Sequence, residues 1–346
     1  MRWAAWLAVV MGVVACGESA GDGPASASGG SAGTSTGGAS GSAGTAGDAG
    51  TGGGSAGTGG GSGSAGSSGG AGAGGAPERV WGVTVDAIDP LADITASLQK
   101  LPVRPTTRIV FDEFVPATDY VTATKQIHTV SDVMGEILDS FYVSQYSVSE
   151  YQARTSEYLT ALSADVDIWE IGNEVNGEWL CAENASNCTA QQTKDVVAKI
   201  QGAHDLVVQK GGKTALTLYY NEDCWSDPKN EMFTWAAANL SPALRQELDW
   251  VLVSYYEDDC NDLQPDWQAV FSKLATLFPN AKLGIGECGT VKPAKKAEYV
   301  TRYYTMQVSE PRFIGGFFWW YYRQDMVPFT KPLHTTLSDT IQSQLP

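Results

Sequence analysis

From residue 79 onward, short runs rich in Val, Ile, Tyr, Phe and Trp recur eight times, separated by longer segments with helical spacing of their apolar residues. Such alternation constrains the fold strongly. Parallel strands need a crossover of a dozen or more residues, usually a helix, whereas antiparallel ones are joined by tight turns. The runs are 79–85, 107–111, 133–141, 167–173, 214–220, 250–256, 282–287 and 314–321. Eight βα units predict an α/β protein, a single (β/α)8 or TIM barrel over 77–346, and 270 residues match the usual size of one.

Helices are expected at 149–164, 189–210, 230–248, 265–277 and 293–308, with weaker signals at 91–101 and 117–130. Pro265 and Pro293 suit first-turn positions, and Gly211-Gly212 reads as a helix stop. The third strand is the hardest to bound, because 133–138 equally extends the helix before it.

The first 76 residues stand outside this pattern. Arg2 precedes an apolar stretch, Trp3 to Val14, of signal-peptide length and too short to span a bilayer. Small residues before Cys16 resemble the lipobox of bacterial lipoproteins, which implies a signal peptide over 1–15 and a lipid anchor on Cys16. An ordinary secretory signal is the alternative. From 16 to 76 the chain is almost wholly Gly, Ser, Ala and Thr, with too little apolar area to offset the entropy of ordering it, so a disordered tether is expected. G-x-S-x-G matches there, such as those at 33–37 and 53–57, have no strand or helix beside them in the sequence pattern and are read as accidents of composition.

Of the formal net charge of −17, only −2 falls in the first 76 residues. So acidic a domain excludes nucleic acid as a partner and leaves no polybasic membrane patch. Of the 6 cysteines, Cys16 is the lipidation candidate. Cys181 and Cys188 flank a short polar loop, and Cys224 and Cys260 follow consecutive strands, so two local disulfides are expected in an oxidising, extracytoplasmic compartment. Cys288 is then a buried packing residue. The 3 histidines, His128, His204 and His334, fall in helical or C-terminal segments, which speaks against a zinc site or a Ser-His or Cys-His hydrolase, and no cofactor is expected.

Two glutamates end two of the strand runs: Glu174 in DIWEIGNEVNG (167–177) and Glu287 in KLGIGECGT (282–290). Parallel β/α proteins place their chemistry at such strand-to-loop junctions. The run Trp169-Glu170-Ile171-Gly172-Asn173-Glu174 at the fourth strand, Gly286-Glu287 at the seventh and Phe317-Phe318-Trp319-Trp320 at the eighth resemble the clan A glycoside hydrolases. The resemblance spans the domain in strand order but rests on about a dozen residues. It implies that Glu287 is the nucleophile and Glu174 the acid/base of a retaining glycosidase, whose carboxyl groups stand about 5–5.5 Å apart.

The same resemblance gives Asn173 the role of holding the sugar 2-hydroxyl. Tyr256, two residues beyond Ser254 and on the same strand face, can donate to the nucleophile. Ser254 stands where many relatives have His, a departure from the family pattern. Adjacent strand residues face opposite ways, so only one of Trp320 and Trp319 stacks on the sugar, Trp320 being favoured. Trp179 and Trp225 are further platforms or loop packing. Glu170 points inward and needs a partner, for which Arg108 is the choice, as a structural pair. Asn221-Glu222 repeats the dipeptide after the wrong strand, and Asp112-Glu113 is similar in character; both are read as cleft lining.

The expected protein is a monomeric, lipid-anchored, retaining glycosidase acting on β-linked oligo- or polysaccharides. The alternatives are an inert carbohydrate-binding or scaffold barrel, and a transglycosylase using the same glutamates.

Overall fold

The computed structural model describes residues 79–181, 188–221, 224 and 227–346. The signal peptide, Cys16, the tether, Glu222 and Trp225 lie outside the described residues.

Eight parallel strands close in sequence order into a barrel. Its elements run β1 (Val80–Val85), α1 (Leu91–Gln99), β2 (Thr106–Val110), α2 (Val121–His128), β3 (Asp132–Glu136), α3 (Val148–Leu162), β4 (Ile168–Glu170), α4 (Ala190–Gln209) and β5 (Thr214–Tyr219). Then follow α5 (Met232–Asn239), α6 (Pro242–Glu247), β6 (Trp250–Ser254), α7 (Trp267–Leu277), β7 (Lys282–Glu287), α8 (Lys296–Tyr304), β8 (Phe313–Trp319), α9 (Tyr322–Met326) and α10 (Pro332–Ser343). All eight strands expected from the sequence are present.

Several boundaries differ, each for a local reason. β3 ends at Glu136 rather than 141, because the Asp139 side chain accepts from Phe141 N and starts a 3₁₀ turn at Ser140. The helix expected over 230–248 is two helices: Pro242 lacks an N–H and disfavours helical backbone before it, so Leu240 is extended and Ser241 caps α6. Pro265 precedes the Asp266 cap of α7 instead of occupying its first turn. Gly211 does stop α4: it sits at φ 73°, the left-handed region open to glycine, and Gly212 N returns to Val207 O at 3.0 Å.

Packing divides the barrel into layers. Met134, Ile168, Ala215, Trp250, Leu252, Ile314 and Phe318 form one buried apolar cluster drawn from five strands. The larger core lies between strands and helices. Two residues further along β3 and β4, on the same strand faces as Met134 and Ile168, come the carboxylates Glu136 and Glu170, both with no solvent exposure. The interior therefore turns from apolar to charged toward the C-terminal ends of the strands, where the site lies.

Both expected disulfides form: Cys181 to Cys188 with Cα atoms 5.3 Å apart, and Cys224 to Cys260 with Cα atoms 5.6 Å apart. Cys288 is free and buried, its thiol donating to Phe317 O. No helix among the described residues is long and apolar enough to cross a membrane.

Candidate active site

Glu174 lies four residues beyond the end of β4, yet its segment still follows β5. Ile171 N donates to Ala215 O at 2.9 Å, Thr217 N to Gly172 O at 3.0 Å and Val175 N to Thr217 O at 3.3 Å. Within this pairing Glu174 adopts φ 45°, an uncommon conformation for a residue with a Cβ. Strain of this kind concentrates at functional sites. Its Oε1 accepts from Ser254 Oγ at 2.6 Å, and its Oε2 lies 3.4 Å from Ser140 Oγ. Burial, then repulsion from Glu287, holds the Glu174 carboxyl well above its ordinary pKa, against the opposing pull of the Ser254 bond.

Glu287 ends β7, in register with Ser254 of β6. Its Oε1 accepts from Tyr256 OH at 2.5 Å and its Oε2 from Arg108 Nη2 at 2.7 Å. Arg108 Nη1 also donates to Gly286 O at 2.9 Å, so the guanidinium grips both backbone and side chain of this turn. Such charge-assisted bonds suit an ionised acceptor. Burial and the Glu287 charge keep the Tyr256 phenol far above its ordinary pKa, so it stays a donor.

Arg108 is more than the partner expected for Glu170. Its Nε stands 3.1 Å from Glu170 Oε2 and donates to Glu136 Oε2 at 2.8 Å, and the guanidinium is wholly buried. Burial alone would lower its pKa, but the three carboxylates outweigh that and raise it. One buried cation among three carboxylates leaves excess acid to hold protons. Burial drives the pKa of Glu136 well up and that of Glu170 to about 7, with Arg108 opposing in both. Sequence reasoning missed Glu136, and missed that Arg108 on β2 reaches Glu287 across the barrel.

Aromatic residues surround the pair. Trp320 is half-buried, with the Arg108 guanidinium carbon 5.2 Å from its ring centroid. Trp319 does not serve as a sugar platform: it has no exposed surface and its Nε1 donates to Asp325 at 3.1 Å, so neither ring face is open. Trp179 is half-buried, donates to Ser140 Oγ at 3.2 Å and meets Tyr219 edge to face at 4.9 Å. It thus stands one side chain away from Glu174. Asn173 is buried and makes no hydrogen bond to either glutamate among the described residues; its Oδ1 has no partner there. Tyr255 is buried against Tyr220 and Trp267. No group of three His, Cys, Asp or Glu side chains among the described residues is placed to hold a metal.

No family model matches this chain, and no curated sequence does. Among solved structures it is similar to Saccharomyces cerevisiae Gas2p in complex with laminaritriose and laminaritetraose, at 13% identity and a TM-score of 0.51, covering 78% of this chain and 65% of that one. Gas2p in complex with laminaripentaose aligns at 13% identity and 0.51, covering 78% and 66%. A β-glycosidase from the hyperthermophile Thermosphaera aggregans aligns at 12% identity and 0.46, covering 67% and 76%. The chain spans about two thirds of the length of the Gas2p structures, and the likeness is one of fold. Fold and site together define a (β/α)8 barrel with a pair of glutamates in unlike environments beyond β4 and at the end of β7.

Proposed function

We propose that this protein is a retaining glycoside hydrolase that cleaves β-linked oligo- or polysaccharides by double displacement. The observation that carries the reading is the split between the two glutamates. Glu174, buried and repelled by Glu287, keeps its proton and suits the general acid. Glu287, held by Tyr256 and Arg108, is presented as a carboxylate and suits the nucleophile.

In this reading Glu287 attacks the anomeric carbon as Glu174 protonates the departing oxygen. A glycosyl-enzyme forms, and Glu174, now ionised, takes a proton from the water that releases the sugar. Tyr256 and Arg108 orient the nucleophile; Trp320 offers the ring face against which the sugar stacks, and Trp179 a second. Asn173 is the candidate partner of the 2-hydroxyl, its unpartnered Oδ1 being available for it. Because Gas2p was solved with laminari-oligosaccharides and shares the fold, β-glucans head the substrate classes to try.

The two disulfides fit an oxidising compartment. They support an extracytoplasmic protein, and the lipobox-like Cys16 is the proposed site of a lipid anchor. The test is reducing-sugar release by the full chain from β-glucans, mannans, xylans and galactans, with Glu287→Gln as blank. Release from one polymer that vanishes in the variant is the expected result. Equal release by both proteins, or none from any polymer, contradicts the reading.

A further inference from the structure

Two large apolar rings stand in the open beside the site. Phe114, in the loop after β2, is 68% exposed, and Phe141, in the loop after β3, is 46% exposed. Exposed apolar surface is ordinary when scattered. Each of these two rings is held in place by its neighbours.

Phe114 sits at φ 56°, a left-handed conformation rarely adopted by a bulky residue. It is fixed there by Tyr146, whose OH accepts from Phe114 N at 2.8 Å and whose ring stacks on the Phe114 ring at 5.1 Å and 12°. The strained backbone thus turns one ring face onto Tyr146 and leaves the other open. Phe141 is fixed by the bond from its own N to Asp139 Oδ1 at 2.8 Å and by an edge contact with Tyr142 at 5.1 Å.

One side chain ties the two loops together. Arg154 of α3, buried, donates to Phe111 O at 3.0 Å and Asp112 O at 2.8 Å in the first loop, and to Ile137 O at 2.7 Å in the second. The second loop runs straight to the catalytic pair, since Ser140, next to Phe141, contacts both Glu174 and Trp179. Asp139 belongs to the same wall: burial first, and the Glu287 charge among the causes that follow, push its carboxyl up to about 6. Rigid aromatic faces and carboxylates that accept hydroxyl hydrogens make a surface suited to sugar. Asp112, Glu113 and Asp139 make it hostile to anionic sugars and anionic lipid.

We propose that Phe114 and Phe141 form a further sugar-binding subsite for a neutral pyranose ring of the same glycan chain, at least one unit away from the bond being cleaved. This rests on the glycosidase reading above. It makes the protein selective for chains over small glycosides, because energy from a remote ring is gained only when the substrate reaches it.

The experiment compares the full chain with Phe114→Ala, Phe141→Ala and the double variant. It measures kcat/KM on the di- to hexasaccharides of the polymer that the wild type cleaves, and on the aryl β-glycoside of the same sugar. The expected result is a wild-type kcat/KM that climbs with length. In the double variant the hexasaccharide should lose about tenfold more than the aryl glycoside, a difference of about 1.4 kcal/mol. A loss equal on both substrates assigns the rings to loop structure and overturns the subsite, as does length-independent kcat/KM in the wild type. Absence of any wild-type turnover, aryl glycoside included, overturns the parent reading instead.

Discussion

Ser254→Ala removes the hydroxyl that donates to Glu174 Oε1 at 2.6 Å. That bond favours the charged form of Glu174, so without it the carboxyl rises further above the position that burial and Glu287 already give it. A hydrogen bond to a charged group contributes about 1.5–3 kcal/mol. The carboxylate loses more of that than the neutral acid does, so the direction is upward. The protonated acid is the active form, so the alkaline limb of kcat/KM moves to higher pH. The assay is a pH series on an oligosaccharide, whose sugar leaving group needs a proton. A dinitrophenyl glycoside serves as the control, because its leaving group departs without one. An alkaline limb that stays in place or moves down in Ser254→Ala would refute this account of what sets the acid.

Two further perturbations separate roles and probe the buried charges. Glu174→Ala is expected to lose about 10²–10⁴-fold on oligosaccharides, with azide yielding a β-glycosyl azide from a β-glycoside. Glu287→Ala with azide is expected to yield the inverted α-glycosyl azide, and the reverse pattern by NMR would exchange the two assignments. Glu136, Glu170 and Glu174 all bind protons more tightly in the folded chain than in the unfolded one. Stability is then fully present below the unfolded carboxylate range and falls as pH rises toward the folded value of about 7 for Glu170. The slope is about 1.4 kcal/mol per pH unit for each group holding such a proton. Urea unfolding of the full chain should give a higher midpoint at about pH 5 than at about pH 7.5; a higher midpoint at the upper pH would contradict the proton count around Arg108.

The strand order was legible because buried parallel strands leave near-continuous apolar runs, and the seventh run matches β7 residue for residue. Where boundaries slipped, a single side chain had overridden the run. Ile137 and Leu138 prolong the apolar pattern of β3, but Asp139 turns the chain by bonding Phe141 N. Proline at 242 cuts a helix whose apolar spacing reads straight through it.

The two glutamates were visible from their motif and strand count. Their surroundings were only half visible. Alternation told that Glu170 faces inward and needs a partner, for which Arg108 was the choice, but not how far around a staggered barrel a side chain reaches, so the bond from Arg108 to Glu287 and the presence of Glu136 were hidden. Alternation also could not fully decide between Trp319 and Trp320. Gly315, Gly316 and Phe317 all have positive φ and the pairing shifts register there, which breaks the period of two. The sequence reading put only one of the two tryptophans at the barrel mouth; Trp319 is buried with its Nε1 on Asp325, and Trp320 is half-buried.

The measurement that tests the central claim most directly is the anomeric form of the first product. ¹H NMR of a β-linked oligosaccharide at the earliest turnovers of the full chain, before mutarotation, reports it without reference to any variant. Double displacement by Glu287 and Glu174 predicts the β-anomer first, drifting to the α/β mixture. Appearance of the α-anomer first would mean single displacement, and Glu287 would then not be a nucleophile.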